Sequence, residues 1–123
     1  MKTILVADDQ PSMRLLVSAT LTAGGYAVIQ AADGDEAWSM IRERRPDMAL
    51  LDVQMPGKSG LELTAAIRED PELGAMHIML LTAGLQKSEV DAGLAAGANA
   101  YLTKPFSPAN LREEVGRLLE SNA

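Results

Sequence analysis

The amino-acid sequence predicts an α/β domain in which helices cover both faces of a parallel β-sheet. Five short apolar runs recur along the 123 residues, and segments with the 3.6-residue period of a helix separate them. Strands that alternate with helices in this way run parallel, because each helical crossover returns the chain to the same edge of the sheet. Near-continuous apolar strands need burial on both faces, which predicts a doubly wound, three-layer α/β/α fold.

The five predicted strands are rich in branched or large aliphatic residues, and each has the length of a strand. They are TILVA (3–7), AVIQA (27–31), MALLDV (48–53), HIMLLTA (77–83) and AYLT (100–103).

Four of the predicted helices are marked by apolar residues at helical spacing. These residues are Met13, Leu16, Val17 and Leu21 in the first, Ala37, Met40 and Ile41 in the second, Leu63, Ala66 and Ile67 in the third, and Leu111, Val115, Leu118 and Leu119 in the fifth. The fourth helix, 88–96, is the weakest, because Gly93 interrupts a short apolar stripe.

Capping signals support the predicted helix boundaries. Pro11 suits a first helical position, and the pair Gly24 and Gly25 suits a C-terminal stop. Ser88 and the three residues after it resemble a capping box, and Ser107 followed by Pro108 resembles an N-cap.

Composition and charge narrow the class of protein. The chain has 17 acidic and 11 basic residues and a formal net charge of -6, so direct contact with nucleic acid or an anionic membrane is not expected. The absence of cysteine excludes disulfides, thiolate catalysis and Cys-ligated zinc. No apolar run has the length of a signal-peptide core or a membrane span, so we expect a cytoplasmic location.

Polar residues gather where the predicted strands end. Asp8 and Asp9 follow the first strand, Asp52 lies at the end of the third, Thr82 at the end of the fourth and Lys104 after the fifth. Parallel strands deliver their C-terminal ends to one edge of the sheet, and ligands bind there where the strand order reverses. A single acid at a strand end is usually a turn or cap residue, and Asp9 alone fits an N-cap of the first helix. The coincidence of all five residues at one edge instead favours a functional site.

Three converging carboxylates repel one another unless they are protonated, paired with a cation or bound to a metal. Hard oxygen ligands at an open edge favour Mg²⁺, which retains water ligands and bridges readily to phosphate. Lys104 and Thr82 would then supply a positive charge and a hydroxyl to phosphoryl oxygens.

The sequence resembles the receiver domain of two-component response regulators, the CheY-like module of chemotaxis-type signalling, over essentially its whole length. The resemblance lies in LVADD at the first strand, LLDVQMPGKSG at 50–60, LLTA at 80–83 and GANAYLTKPF at 97–106. It implies the flavodoxin-like strand order 2-1-3-4-5.

The resemblance also implies a role for each site residue. Asp52 would accept a phosphoryl group from a histidine kinase, a phosphotransfer protein or a small acyl phosphate. Asp9, Asp52 and the backbone carbonyl of Gln54 would bind Mg²⁺, and Asp8 would act through a metal-bound water. Thr82, Lys104 and the N–H of Ala83 would contact the phosphoryl oxygens.

Two further features follow from the resemblance. Tyr101 matches the switch aromatic, which turns inward when Thr82 moves and changes the surface of the fourth helix, fifth strand and fifth helix. A half-buried tyrosine with its hydroxyl in water is the alternative. The Lys104-Pro105 bond matches a cis peptide position. Gln54 and Gly84 flank the path of the water that would hydrolyse the aspartyl phosphate, so the lifetime of that state stays open.

We therefore expect a single receiver domain over 1–123 with no output domain, which is a signalling phospho-acceptor rather than an enzyme. Its output would be a protein target, such as a flagellar motor, another kinase or a phosphotransfer protein. One alternative is a Mg²⁺-dependent aspartyl-phosphate phosphatase, which would need an acid where Gln54 stands. A second is an adaptor that keeps the fold but needs no phosphorylation.

Overall fold

The computed structural model describes residues 1–82, 87–104 and 106–120, without the side chains of residues 87–90 and 120. Strands and helices alternate strictly within these residues, as the sequence predicts. In chain order they are β1 (Thr3–Ala7), α1 (Pro11–Ala23), β2 (Ala27–Ala31), α2 (Gly34–Arg44), β3 (Met48–Asp52), α3 (Gly60–Glu69), β4 (His77–Thr82), α4 (Lys87–Ala96), β5 (Ala100–Thr103) and α5 (Pro108–Glu120). No helix of the described segments is both long and apolar enough to cross a lipid bilayer.

The five strands form one parallel sheet in the order β2-β1-β3-β4-β5, which confirms the predicted topology. The chain first adds β2 on one side of β1 and then crosses to add β3 on the other side. The order therefore reverses between β1 and β3, and sheets of this kind form a crevice beyond the C-terminal ends of the two strands at that point. This reversal places the residues after β1 next to the residue that ends β3.

Side chains alternate along each strand and build a hydrophobic core on each face of the sheet. On one face Leu5, Leu51 and Ile78 pack with α2 and α3 through Ala37, Ile41, Leu63 and Ile67. On the other face Ile4, Leu50 and Met79 pack with α1 and α5 through Val17, Leu21, Leu111 and Val115. Each fully buried aliphatic side chain contributes about 1.5–3 kcal/mol to folding, so both helical layers are firmly attached.

The helices begin and end largely where the sequence predicts. Pro11 is the first residue of α1, and the chain leaves that helix through Gly24 and through Gly25, whose φ of 95° suits glycine. At α5, Ser107 Oγ accepts a hydrogen bond from the N–H of Asn110 at 3.0 Å, as its predicted N-cap role requires. The predicted capping box from Ser88 lies on side chains outside the described set, and α4 begins one residue earlier, at Lys87.

Gly93 has a packing role that its sequence context conceals. A Cβ atom at this position would lie 2.4 Å from Leu80 Cδ1 of β4. The glycine therefore lets α4 approach the sheet closely, although it weakens the helix in isolation.

Candidate functional site

The predicted site residues lie at the C-terminal edge of the sheet, around the reversal of strand order. Asp8 and Asp9 follow β1, Asp52 ends β3, Thr82 ends β4 and Lys104 follows β5. The predicted run at β3 is one residue longer than the strand, and the last residue of the predicted run at β4, Ala83, lies outside the described residues. Because Asp52 pairs with Leu81, Thr82 lies one position further along the neighbouring strand.

Backbone contacts fix Asp8 at the start of the crevice. Its N–H donates to the carbonyl of Ala31 at 3.2 Å, and its Oδ1 accepts from the N–H of Gln10 at 2.9 Å. The guanidinium of Arg14 donates to the carbonyl of Asp8 at 2.8 Å. These bonds orient a carboxylate that is 0% exposed.

Asp9 is exposed and does not cap α1. The N-cap residue of that helix is Gln10, which makes no side-chain capping bond, and Pro11 at the next position has no N–H to satisfy. The structure thus removes the capping explanation for Asp9 and leaves its carboxylate at the mouth of the crevice.

Lys104 bridges the two buried carboxylates. Its Nζ donates to Asp8 Oδ2 at 2.9 Å and to Asp52 Oδ2 at 3.2 Å. The lysine side chain is only 12% exposed, so these ion pairs are shielded from water and from salt. Charge-assisted hydrogen bonds of this kind are stronger than neutral ones and hold the ends of β1, β3 and β5 together.

Burial and ion pairing shift the pKa values of both Lys104 and Asp52. Desolvation raises the pKa of Asp52 above its usual value, and the N–H of Gln54 and the ammonium of Lys104 offset only part of that effect. Burial alone would lower the pKa of Lys104, but its hydrogen bond to Asp8 and its attraction to both carboxylates outweigh burial and raise it. The lysine is therefore held in its charged form.

Asp8, Asp9 and Asp52 together fit a small divalent cation. One carboxylate oxygen from each lies within 4.8 Å of the others. All the donors are oxygens, and Asp9 faces solvent, so an ion here would keep water ligands. Asp8 and Asp52 each accept protein hydrogen bonds on both carboxylate oxygens, and each oxygen keeps a second lone pair for an ion or for a water bound to it.

The residues after Asp52 fix its backbone. Gln54 donates its N–H to Asp52 Oδ1 at 3.1 Å. A Cβ on Gly60 would lie 2.6 Å from the carbonyl oxygen of Asp52, so only glycine allows α3 to start this close to the end of β3. At the start of α3, Ser59 and Glu62 form a reciprocal capping box, which the sequence reasoning missed although its Ser-x-x-Glu spacing is visible.

Thr82 and Tyr101 share one face of the sheet. Tyr101 pairs with Leu80 and Thr103 pairs with Thr82, so the alternation of β4 and β5 places Thr82 and Tyr101 on the same side. Leu80 belongs to the core under α2 and α3, and Gly93 of α4 packs on Leu80. Thr82 is 4% exposed, whereas Tyr101 is 40% exposed beside α4.

Three predicted features fall outside the described residues. They are the N–H of Ala83, the open side at Gly84 and the Lys104-Pro105 peptide bond. The structure does show that the N–H of Lys104 donates to the carbonyl of Thr82 at 2.7 Å, which joins the ends of β4 and β5.

The chain resembles known proteins in sequence over nearly all of its length. The model of the response regulator receiver domain matches residues 4–116. The phosphate regulon transcriptional regulatory protein PhoB of Pseudomonas aeruginosa is 39% identical over 117 residues, which are 95% of this chain and 50% of that protein. The DNA-binding response regulator MtrA of Mycolicibacterium smegmatis is 36% identical over 119 residues, 97% of this chain and 51% of that protein. The chain thus spans about half the length of these relatives.

Solved structures agree with the sequence matches. The chemotaxis response regulator CheY4 of Vibrio cholerae superposes with a TM-score of 0.91 at 36% identity, over 96% of this chain and 98% of that one. A receiver domain of a Francisella response regulator superposes with a TM-score of 0.91 at 28% identity, over 100% of both chains. The sequence matches and the similarity of the folds agree, and the chain belongs to the response regulator receiver domain family.

Proposed function

We propose that Asp52 accepts a phosphoryl group and that the resulting aspartyl phosphate is the signalling state of the protein. The main observation in support of this proposal is the burial of the Asp52 carboxylate among charged neighbours. Asp52 is 7% exposed, lies 3.2 Å from the Lys104 ammonium and shares the crevice with two further carboxylates suited to a divalent cation. Receiver domains as a family work with histidine kinases, so a phosphohistidine is the expected phosphoryl donor.

In the proposed reaction an oxygen of Asp52 attacks the phosphorus atom of the donor. The P–N bond of a phosphohistidine breaks, its electron pair returns to the imidazole, and an acyl phosphate forms on Asp52. With a small acyl phosphate the P–O bond breaks and a carboxylate leaves. Transfer of this kind requires alignment and charge neutralisation more than covalent chemistry from the protein.

Each neighbouring residue has a defined part in that reaction. Asp9, Asp52 and the carbonyl of Gln54 would hold Mg²⁺ directly, and Asp8 through a water molecule. The ion, when bound, neutralises charge on the phosphoryl oxygens. Lys104 is placed to attract those oxygens, and Thr82 at the end of β4 offers its hydroxyl. Later attack by water on the same phosphorus would restore Asp52.

The proposed output is a change at the surface made by α4, β5 and α5. Thr82 and Tyr101 lie on the side of the sheet that α4 covers, so movement of Thr82 toward a phosphoryl group would make room for the Tyr101 ring. The partners would be a histidine kinase or phosphotransfer protein and a downstream protein target. A cytoplasmic location fits those partners.

The proposed form of the protein is a stand-alone regulator of residues 1–123. The similarity to the chemotaxis response regulator CheY4 favours a regulator of that kind. PhoB and MtrA are named as transcriptional or DNA-binding regulators, and both are about twice as long as this chain. These relatives therefore do not support the expectation that the protein makes no direct contact with nucleic acid. A receiver that controls a DNA-binding partner region is therefore the second candidate.

A phosphatase and a phosphorylation-independent adaptor are both less well supported by the site. A phosphatase with an aspartyl-phosphate intermediate would need a general acid two residues after Asp52, where the neutral Gln54 stands. An adaptor that is never phosphorylated would have no need for three acids, a threonine and a lysine together at one edge of the sheet. We propose instead that the chain catalyses only its own phosphorylation and dephosphorylation.

Intact-mass measurement after incubation with acetyl phosphate and Mg²⁺ tests the proposal. We expect one phosphoryl adduct that is lost with EDTA and with Asp52→Asn. Asp91→Asn is the matched control, because Asp91 is an exposed acid on α4, and it should keep the adduct. A folded natural protein that forms no adduct and binds no Mg²⁺ would favour the adaptor.

A further inference from the structure

The β3–α3 loop (residues 53–59) carries Gln54 and leads from Asp52 to α3. Its first residues are held locally, because the N–H of Val53 donates to the Leu81 carbonyl at 2.9 Å and that of Gln54 to Asp52 at 3.1 Å. Its last residue, Ser59, forms the capping box of α3. The middle of the loop has a different support, which is the first turn of α2.

The contact between this loop and α2 is made at backbone distance. The N–H of Gly34 donates to the carbonyl of Pro56 at 3.0 Å. A Cβ atom on Gly34 would lie 1.8 Å from the carbonyl oxygen and 2.6 Å from the nitrogen of Lys58. On the other side Gly57, with φ of 77°, would place a Cβ 2.6 Å from Asp35 Oδ2. Gly34 leaves no space for a side chain because the atoms in the way belong to the backbone, whereas Gly57 is required mainly by its positive φ.

The first turn of α2 is itself firmly attached to the end of β1. Asp33 caps the helix by accepting the N–H of Glu36 at 2.8 Å, and Glu36 Oε1 accepts the N–H of Ala32 at 2.7 Å. The next carbonyl back, that of Ala31, accepts the N–H of Asp8 at 3.2 Å. A short chain of hydrogen bonds therefore runs from Asp8 to Gly34 and on to the β3–α3 loop.

We propose that Gly34 is a positioning residue for metal binding, which sets the distance between the acids after β1 and the oxygens supplied by Asp52 and Gln54. This inference rests on the proposed function, because it takes the carbonyl of Gln54 as a ligand of Mg²⁺. Gly34 is not among the residues that would bind the metal or the phosphoryl group. It acts through the position of the β3–α3 loop.

The variant Gly34→Ala tests the proposal. The new methyl group must displace the backbone at Lys58 by about 1 Å, because real Cβ atoms do not approach other atoms within 3.0 Å. Loss of support behind metal ligands typically weakens metal affinity about 10- to 100-fold, and we expect a rise of that size in the Mg²⁺ dissociation constant. The rate of labelling by acetyl phosphate should fall at low Mg²⁺ and approach the natural rate as Mg²⁺ is raised.

Gly74→Ala is the matched control, since a Cβ there would lie 3.5 Å from the Asp70 carbonyl, an ordinary contact. Calorimetric titration with MgCl₂ should give the natural affinity for this control. A folded Gly34→Ala protein that binds Mg²⁺ within twofold of the natural protein overturns the inference. Absence of Mg²⁺ binding to the natural protein would instead overturn the proposed function.

A measurement on the natural protein covers the case in which Gly34→Ala does not fold. Amide hydrogen exchange at Gly34 should slow when Mg²⁺ is added, because the ion fixes the loop that carries its acceptor, Pro56. The amide of Arg45 at the far end of α2, which donates to Ile41 at 3.0 Å, is the internal control and should not change. Unchanged exchange at Gly34 while Mg²⁺ binds would refute the coupling.

Discussion

Removing the ammonium of Lys104 should destabilise the metal-free protein far more than the loss of an ordinary surface ion pair. Lys104→Met keeps the apolar part of the side chain but leaves Asp8 and Asp52 as adjacent carboxylates without a cation. Asp8 is fully buried, and Lys104 donates to it at 2.9 Å and to Asp52 at 3.2 Å. Breaking a buried pair from one side costs about 3–5 kcal/mol, because the remaining charge stays buried.

We take the lower end of that range, about 3 kcal/mol, because Asp9 opens the site to solvent and part of the exposed charge is hydrated. For a domain of this size that loss lowers Tm by about 10 °C. The assay is urea unfolding in EDTA at pH 7, followed by circular dichroism. Arg117→Met is the control, since it breaks the exposed Arg117–Glu114 pair and should cost less than about 1 kcal/mol.

The pH dependence gives a second, independent test of the same ion pairs. In Lys104→Met the pKa of Asp52, which burial already raises, should rise further in the folded state, so the unfolded state releases its proton first and stability falls as pH rises. The loss of stability of Lys104→Met relative to the natural protein should therefore become smaller as pH falls toward the usual pKa of a carboxyl group. Added Mg²⁺ should also reduce it by replacing the missing cation. A deficit below about 0.5 kcal/mol that is independent of pH would refute the buried bridge.

Three further predictions concern single side chains. Asp52→Asn should stabilise the protein in EDTA at pH 7 and lose this advantage near pH 3. The pKa of Asp52 is raised in the folded state, so the natural protein loses stability as pH rises from the unfolded pKa of 3.8 through the higher folded pKa. Equal urea midpoints of the two proteins at pH 7 would contradict this. Arg68→Met should lower the free energy of unfolding in urea by about 2–4 kcal/mol, because the Arg68 guanidinium donates four hydrogen bonds to the turns before β4 and β5. Arg112→Met, at an exposed position, is the control, and an equal loss of stability in the two variants would contradict the role of Arg68. Thr64→Val should lower the free energy of unfolding by about 1 kcal/mol, because the buried Thr64 hydroxyl donates to the first carbonyl of α3 at 2.8 Å. Ser18→Ala should leave stability unchanged or raise it, because the Ser18 hydroxyl has no partner among the described residues. Thermal unfolding that gives the opposite signs would refute this.

The fold was predictable because its determinants are local in sequence. Apolar runs of strand length, helical periodicity and the glycine or proline at several helix boundaries all indicate the same alternation. Strand order is a different matter, because periodicity does not say which strands are neighbours. The order came from the resemblance to receiver domains, and the pairing of β1 with both β2 and β3 confirmed it.

The site was predictable only in part. Polar and charged residues at strand ends are visible in a sequence once the strands are taken as parallel. That rule selected the candidate residues Asp8, Asp9, Asp52, Thr82 and Lys104. The supports behind them were missed, because Arg14 and Gly34 act through backbone atoms of other residues, namely the carbonyl of Asp8 for Arg14 and the distant β3–α3 loop for Gly34. Gly34 carries no local signal, since a glycine at the start of a helix has many ordinary explanations.

On the proposed function, the charges of the site argue that a divalent cation would bind before the phosphoryl donor. Three carboxylates and one ammonium give the metal-free crevice a formal charge of -2, and Lys104 is already shared between Asp8 and Asp52. A phosphoryl donor is also an anion, so it would approach a crevice that repels it. One divalent cation brings the formal charge to zero without displacing Lys104 from its carboxylates. On the proposed function, the exposed Asp9 at the mouth is then the first contact for the ion, and the buried ion pairs behind it keep the acceptor in place until the donor arrives.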